Sequence, residues 1–166
     1  MNLSENILLM LNAQWGHEQA NSFRYFQRQN WAEFKGYIGS AAYYKQEAEG
    51  ERGHADKILA YINDRNALAT LQPFAWDEPN NWPDLIDLFT TALEVERDTT
   101  ARLTTIYQAA FSEADIMTVN FMAEMINEQR GEENEYVSIL DRFAAYAPAP
   151  ARNSDLDYFI SENFVK

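Results

Sequence analysis

Four glutamates occupy positions where the surrounding pattern calls for hydrophobic side chains. Read at 3–4 spacing, the chain carries four stripes. The first is Leu11, Trp15, Glu18, Ser22, Tyr25, and the second Tyr44, Ala48, Glu51, Ala55, Ile58, Ile62. The third is Leu85, Phe89, Ala92, Glu96, Thr99, Leu103, Ile106, and the fourth Phe121, Met125, Glu128, Glu132, Tyr136, Ile139. Residues at i, i+3, i+4 and i+7 share one helix face, so each glutamate points where its apolar neighbours point. Glutamate is almost never fully buried unless paired, and an isolated ionised carboxylate in a core is very costly. Four of them, with His54 one turn after Glu51, call for a shared cation. Two divalent ions balance four carboxylates, which alone would repel and raise one another's pKa. Oxygen donors with one imidazole suit iron or manganese and disfavour calcium. In Glu51-Arg52-Gly53-His54 the i, i+3 spacing lets carboxylate and imidazole reach one ion. A bridging carboxylate lets two ions sit about 3.5 to 4 Å apart, a spacing suited to sharing electrons with one O2. The plainer reading, hydrogen-bonded polar groups in a core, serves any one glutamate better than it serves the set.

Long helices must hold these residues. The first is expected from about Ser4 to Phe34, ending at a short turn with Gly36 and Gly39, and the second from about Ile38 to Asp64. A connection over 65–82 follows, with Pro73, Pro79 and Asn80-Asn81. Pro83 is expected in the first turn of the third helix, where a missing N–H is harmless, and that helix continues to about Phe111. Ser112-Glu113-Ala114-Asp115 reads as a cap opening the fourth helix, which runs to about Ala145. Ala147-Pro148-Ala149-Pro150 reads as a rigid break, followed by a short fifth helix from Ser154 to Phe164. Helices of about 27 to 31 residues span about 40 to 47 Å. The tight turns make the first and second helices antiparallel, and likewise the third and fourth. A link of about 18 residues can reach about 60 Å, enough to run the length of the bundle and leave the second and third helices parallel. The expected fold is all-α: a four-helix bundle, residues 4–145, with one long crossover and a short C-terminal helix, in a single domain. Mid-helix glutamates then meet at one level whichever way each helix runs.

The bulk properties agree. At 166 residues the chain is long enough for one domain with a sizeable core. Its net charge of −13 argues against nucleic acid, whose phosphates need Lys and Arg, and suits a protein that attracts cations. With no cysteine there is no disulfide framework, thiolate zinc site or cysteine-ligated cluster. The N-terminus lacks a basic n-region and no apolar run approaches about 18 residues, so a cytoplasmic protein with no membrane partner is expected.

The constellation Glu18…Tyr25, Glu51-x-x-His54, Glu96 and Glu128-Gln129-x-x-Glu132, on this helix order, resembles the bacterial non-haem ferritins of the ferritin-like di-iron superfamily. Leu11-Asn12-x-Gln14, Ala48 to His54, and Leu156-Asp157-Tyr158-Phe159-Ile160 are similar to that family's segments, so the resemblance covers most of the chain. Glu-x-x-His alone is a weak motif, but the ordered set is specific. The resemblance implies an iron-storage subunit with ferroxidase activity, using Fe(II) and O2, in a 24-subunit cage holding ferric mineral. It implies two non-haem irons: one held by Glu18, Glu51 and His54, the other by Glu96 and Glu132, with Glu51 bridging and Gln129 close by. Tyr25 would match the family's tyrosine beside the site, as an electron donor or merely as packing that hydrogen-bonds a carboxylate. Haem-binding relatives carry Glu-Met-x-His in the second helix and a histidine in the fourth. Arg52 and Glu132 stand at those positions here, so no haem is expected.

A third metal position in many such ferritins uses a glutamate just before each of the second- and fourth-helix ligands. Gly50 and Gly131 stand there, leaving Glu128, with Glu49, for at most a weak third site. The glycines either let the second and fourth helices approach closely or open a path from the iron pair. His17 is expected at the surface. Met117, Met122 and Met125 are expected in the core, and Glu47, Glu49 and Glu94 on a solvated face that a cage would turn towards its cavity. The apolar residues of the fifth helix, Tyr158, Phe159, Ile160 and Phe164, are expected to find cover between subunits rather than on the bundle. Two rivals remain: a stand-alone di-iron oxidase or oxygenase acting on an organic substrate, and a non-catalytic structural cage subunit.

Overall fold

The computed structural model describes residues 2–146 and 153–166, and helix is the regular structure among them. Five helices follow in order: α1 (Glu5–Phe34), α2 (Ile38–Asp64), α3 (Leu85–Ser112), α4 (Ile116–Tyr146) and α5 (Asn153–Asn163). No described helix is long and apolar enough to cross a membrane. The expected break over 147–150 lies outside the described residues.

Local chemistry sets the helix ends. Ser4 Oγ accepts from the Ile7 N–H and opens α1. Gly36, at φ +80°, closes it: the Tyr37 N–H reaches Ala32 O at 2.8 Å and the Gly36 N–H reaches Glu33 O at 3.0 Å. That pair of bonds needs a left-handed residue after the cap, which glycine supplies without strain. Pro83 is not inside α3, as the sequence suggests. Asp84 caps that helix by accepting from the Asp87 N–H at 2.8 Å, and Pro83 precedes the cap. Asp115 opens α4, taking the Thr118 N–H at 3.2 Å and its hydroxyl at 2.7 Å.

α1 packs on α2, α3 on α4, and α1 on α3. The crossover runs along α1 in step with it. Asn12 accepts from the Thr70 N–H, Gln72 O lies 3.3 Å from where a Gly16 Cβ would sit, Arg24 pairs with Asp77, and Trp31 donates to Asn81. Arg28, 1 % exposed, pairs with Glu78 at 2.6 Å and lies over the Trp82 ring. The link therefore spans the bundle, as its length allows.

α5 overturns one expectation. It folds back on its own subunit: Leu156 and Ile160 are buried in the core, and Phe159 and Phe164 pack against it. Asp157 caps α2, accepting the Gly39 N–H at 3.0 Å and the Ser40 N–H at 2.6 Å, where Tyr37 offers no side-chain cap. A Cβ on Gly39 would fall 2.3 Å from Asp157 O, so this contact requires glycine. Of the four apolar residues, Tyr158 remains largely exposed. The fifth helix thus gives no independent evidence of assembly.

The core divides into two hydrophobic clusters. One holds Tyr25, Tyr43, Tyr44, Phe89, Tyr136 and Phe143 with α5; the other holds Ile7, Leu11, Ile58, Ile62, Leu103, Ile106, Met122 and Met125. Met117 departs from expectation at 56 % exposed, because it sits in the first turn of α4. Along every long helix the glutamates lie between the two clusters.

Candidate metal centre

Small neighbours make room for the polar layer. Ala48, Ala55 and Ala92 flank the glutamates and are fully buried, and Ser22 folds its hydroxyl back onto Ala48 O at 2.8 Å. Into that space project Glu18 and Glu96, both fully buried, and Glu51, 3 % exposed. Glu18, Glu51 and His54 bring one ligand atom each within 4.8 Å of one another, and so do Glu51, Glu96 and Glu132. The two triads share Glu51. His54 Nδ1 lies 3.7 Å from Glu51, and Nε2 lies 3.3 Å from Glu132 and 3.5 Å from Glu128.

Supporting groups orient the carboxylates. Gln14 donates to Glu18 Oε1 at 2.7 Å, Tyr25 donates to Glu96 Oε1, and Gln129 donates to Glu96 Oε2. What these bonds leave is informative: Glu18 Oε2, Glu51 Oε2 and Glu132 Oε2 are buried with no hydrogen-bond partner. Buried acceptors without partners each cost about 1–3 kcal/mol. One divalent cation in each triad would satisfy all three, Glu18 in the first, Glu132 in the second and Glu51 between them, so the donor set fits a pair of hard or borderline metal ions.

Electrostatics point the same way. Burial, then the charges of Glu96 and Glu18, push the Glu51 carboxyl well above its ordinary range. Burial lifts Glu96 to about 7 against the hydrogen bonds from Tyr25 and Gln129, and burial together with Glu96 lifts Glu132 to about 9. Protons therefore occupy much of the cluster when no cation does, and cation binding must expel them.

The flanking residues revise several sequence readings. His17 is not at the surface: it is 9 % exposed, its Nε2 lies 2.9 Å from Thr99 Oγ1, and Asn21 donates to the same hydroxyl at 3.0 Å. Burial holds its imidazole down to about 4, hence neutral. Glu47 is not simply solvated. It accepts from the Tyr136 hydroxyl at 3.1 Å, and burial lifts its pKa to about 8. Glu49 and Glu94 are exposed as expected. The close-approach reading of the glycines also fails. α2 and α4 nowhere bring Cα atoms within 8 Å among the described residues, and a Cβ on Gly50, Gly53 or Gly131 would meet nothing within 4 Å. A cleft of about 750 Å³ opens there, lined by Glu47, Gly50, Glu128, Gly131, Glu132 and Glu135. Glu128, at its edge, is held by Lys57 Nζ at 2.6 and 2.7 Å. Gln14, one turn before Glu18, was detectable from spacing; Lys57 and the His17 cluster depend on which faces meet.

The profile of the ferritin-like domain family matches residues 8–145. The chain is 30 % identical over 141 residues, 84 % of each chain, to the "Probable bacterial non-heme ferritin-like protein" of Haemophilus influenzae. It is 31 % identical over 135 residues to a bacterial non-heme ferritin of Staphylococcus aureus, covering 81 % of this chain and 80 % of that one. Among solved structures, an open pore ferritin of the archaeon Archaeoglobus fulgidus shares the fold at TM-score 0.90 and 23 % identity, covering 96 % of both chains.

Proposed function

The chain belongs to the ferritin family, and we propose that it is an iron-storage subunit with ferroxidase activity. It takes two Fe(II) per subunit as substrate, oxidises them with O2, and passes ferric iron to a mineral held in a hollow homo-oligomer of 24 subunits. Glu18, Glu51 and His54 hold one iron, Glu96 and Glu132 the other, and Glu51 bridges. Gln129 and Tyr25 hold Glu96 in place, and Tyr25 stands ready to donate an electron. Glu128, already engaged by Lys57 and facing glycines, offers at most a weak third position.

One observation carries the proposal: two overlapping ligand triads share a carboxylate, and each of Glu18, Glu51 and Glu132 leaves a buried oxygen unpartnered. A purely structural cage subunit has no use for that cost. Aerobic addition of Fe(II) to the metal-free protein, with ferric absorbance, oxygen uptake and particle mass recorded together, tests it. Rapid oxidation by a large hollow particle is expected. Oxidation no faster than in buffer would reject the ferroxidase assignment, and a monomer turning over an organic substrate would favour the stand-alone oxidase.

A further inference from the structure

Tyr25, at the centre, is one end of a buried file of tyrosines. Its ring lies 5.8 Å from Tyr44, Tyr44 lies 5.5 Å from Tyr43, and Tyr43 lies 5.8 Å from Tyr136, centroid to centroid. All four are at most 1 % exposed. Phenylalanine would pack equally well at such sites, as Phe89 does amid the same rings. Burying a phenol hydroxyl costs free energy unless it is bonded, so four tyrosines suggest a use for the hydroxyls.

Their partners differ in kind. Tyr25 donates to the carboxylate of Glu96, and Tyr136 donates to the carboxylate of Glu47 at 3.1 Å. Tyr44 donates to the backbone carbonyl of Leu88, which cannot take a proton. A buried phenol gives up an electron readily only if its proton can leave in the same step. The two ends of the file meet that condition; Tyr44 does not, and neither does Tyr43, whose buried hydroxyl has no hydrogen-bond partner. Glu47, moreover, lines the α2–α4 cleft.

Resting on the ferroxidase reading above, we propose that Tyr136 is a second redox-active tyrosine, relaying electrons from ferrous ions in the α2–α4 cleft to Tyr25. Tyr25 gives one electron to the oxidation centre, and its proton passes to Glu96. Tyr136 then reduces the Tyr25 radical through the intervening rings. Tyr25 recovers its proton from Glu96, while the Tyr136 proton passes to Glu47. A ferrous ion in the cleft reduces the Tyr136 radical, becoming ferric, and Glu47 returns the proton. The net change is one further Fe(II) oxidised and one electron delivered, with both tyrosines and both carboxylates restored.

Freeze-quench electron paramagnetic resonance on the whole assembly tests this. Aerobic Fe(II) should give the wild type a short-lived tyrosyl signal made of two overlapping components, because the two rings are held differently. In Tyr136→Phe one component should vanish and the other, at Tyr25, should decay several-fold more slowly; Glu47→Gln should slow its decay likewise. Tyr25→Phe should remove both. A second arm needs no iron: one-electron photo-oxidation of the metal-free protein above about pH 9, where Glu96 and Glu47 are free to accept a proton, should give both components in wild type and one in Tyr136→Phe. Equal radical lifetimes in wild type and Tyr136→Phe, or a single component in the photo-oxidised wild type, would overturn the relay. Failure of the ferroxidase reading would show separately, as absent iron oxidation with the photochemical pattern intact.

Discussion

The carboxylate layer lies between two seams built from different materials. Where α1 meets α3, His17, Asn21 and Thr99 close the seam with neutral, mutually hydrogen-bonded groups. Where α2 faces α4, the backbones stand apart, glycines leave open space, and carboxylates line the gap. Both seams are polar, but the cavity beside the first, about 400 Å³, mixes Arg24, Arg28 and Arg102 with its acids, whereas Glu47, Glu128, Glu132 and Glu135 gather around the second with Lys166. A buried polar residue is therefore not in itself a sign of chemistry. His17 Nε2 shares hydrogen bonds with Thr99 and Asn21, whereas Glu18, Glu51 and Glu132 each hold a buried oxygen with none. Three unpartnered carboxylate oxygens gathered in one layer, more than polarity, mark the side proposed to react.

Glu132→Ala should have the largest effect, since Glu132 belongs to both the centre and the open seam. Outer-shell changes at metal sites typically cost about 10–100-fold, so loss of a ligand should slow Fe(II) oxidation by about 100-fold or more. The helical fold should persist. Stopped-flow absorbance at the wild-type rate would mean that the reaction lies elsewhere.

Acidity should separate the seams next. Glu51, Glu96 and Glu132 have folded-state pKa values raised above the ordinary value of 4.5, to about 7 for Glu96 and about 9 for Glu132. The metal-free fold therefore keeps protons that the unfolded chain releases, and its stability falls as pH rises from about 4.5 towards 9. His17 has the opposite sign. Lowered to about 4 from 6.5, it costs stability as pH falls through that window. Thermal unfolding of the metal-free protein should show the alkaline decline, and Glu132→Gln or saturating Zn(II) should flatten it. A decline of the same steepness in Glu132→Gln would remove the carboxylate layer as its cause.

His17→Ala should cost about 0.5–1.5 kcal/mol, because it removes the buried hydrogen bond to Thr99 while Thr99 and Asn21 keep their bond to each other. Iron oxidation should continue near the wild-type rate. A rate loss as large as that of Glu132→Ala would place the closed seam on the reaction path.

The smallest effects concern the glycines. With nothing within 4 Å of an added Cβ, Gly50→Ala and Gly131→Ala should each stabilise α2 or α4 by up to about 1 kcal/mol. Denaturant midpoints should rise without a change in slope. Lower midpoints would show that the open seam is closed by something the two glycines contact.

The helices, the long crossover and the identity of the residues that meet at mid-height are legible in the sequence. Helical periodicity is a local property, and a carboxylate in an apolar stripe shows against its own neighbours. Gln14, four residues before Glu18, falls under the same rule. The rest follows from how the helices pack. Whether His17 is wet or buried depends on α3, one helix removed. Whether Gly50 and Gly131 mean contact or space depends on the distance between α2 and α4, which no single-helix pattern encodes. The docking of α5 depends on Asp157 finding the uncapped start of α2, a bond between residues more than a hundred positions apart. Periodicity says which way a side chain points from its own axis; only the packed helices say what it points at.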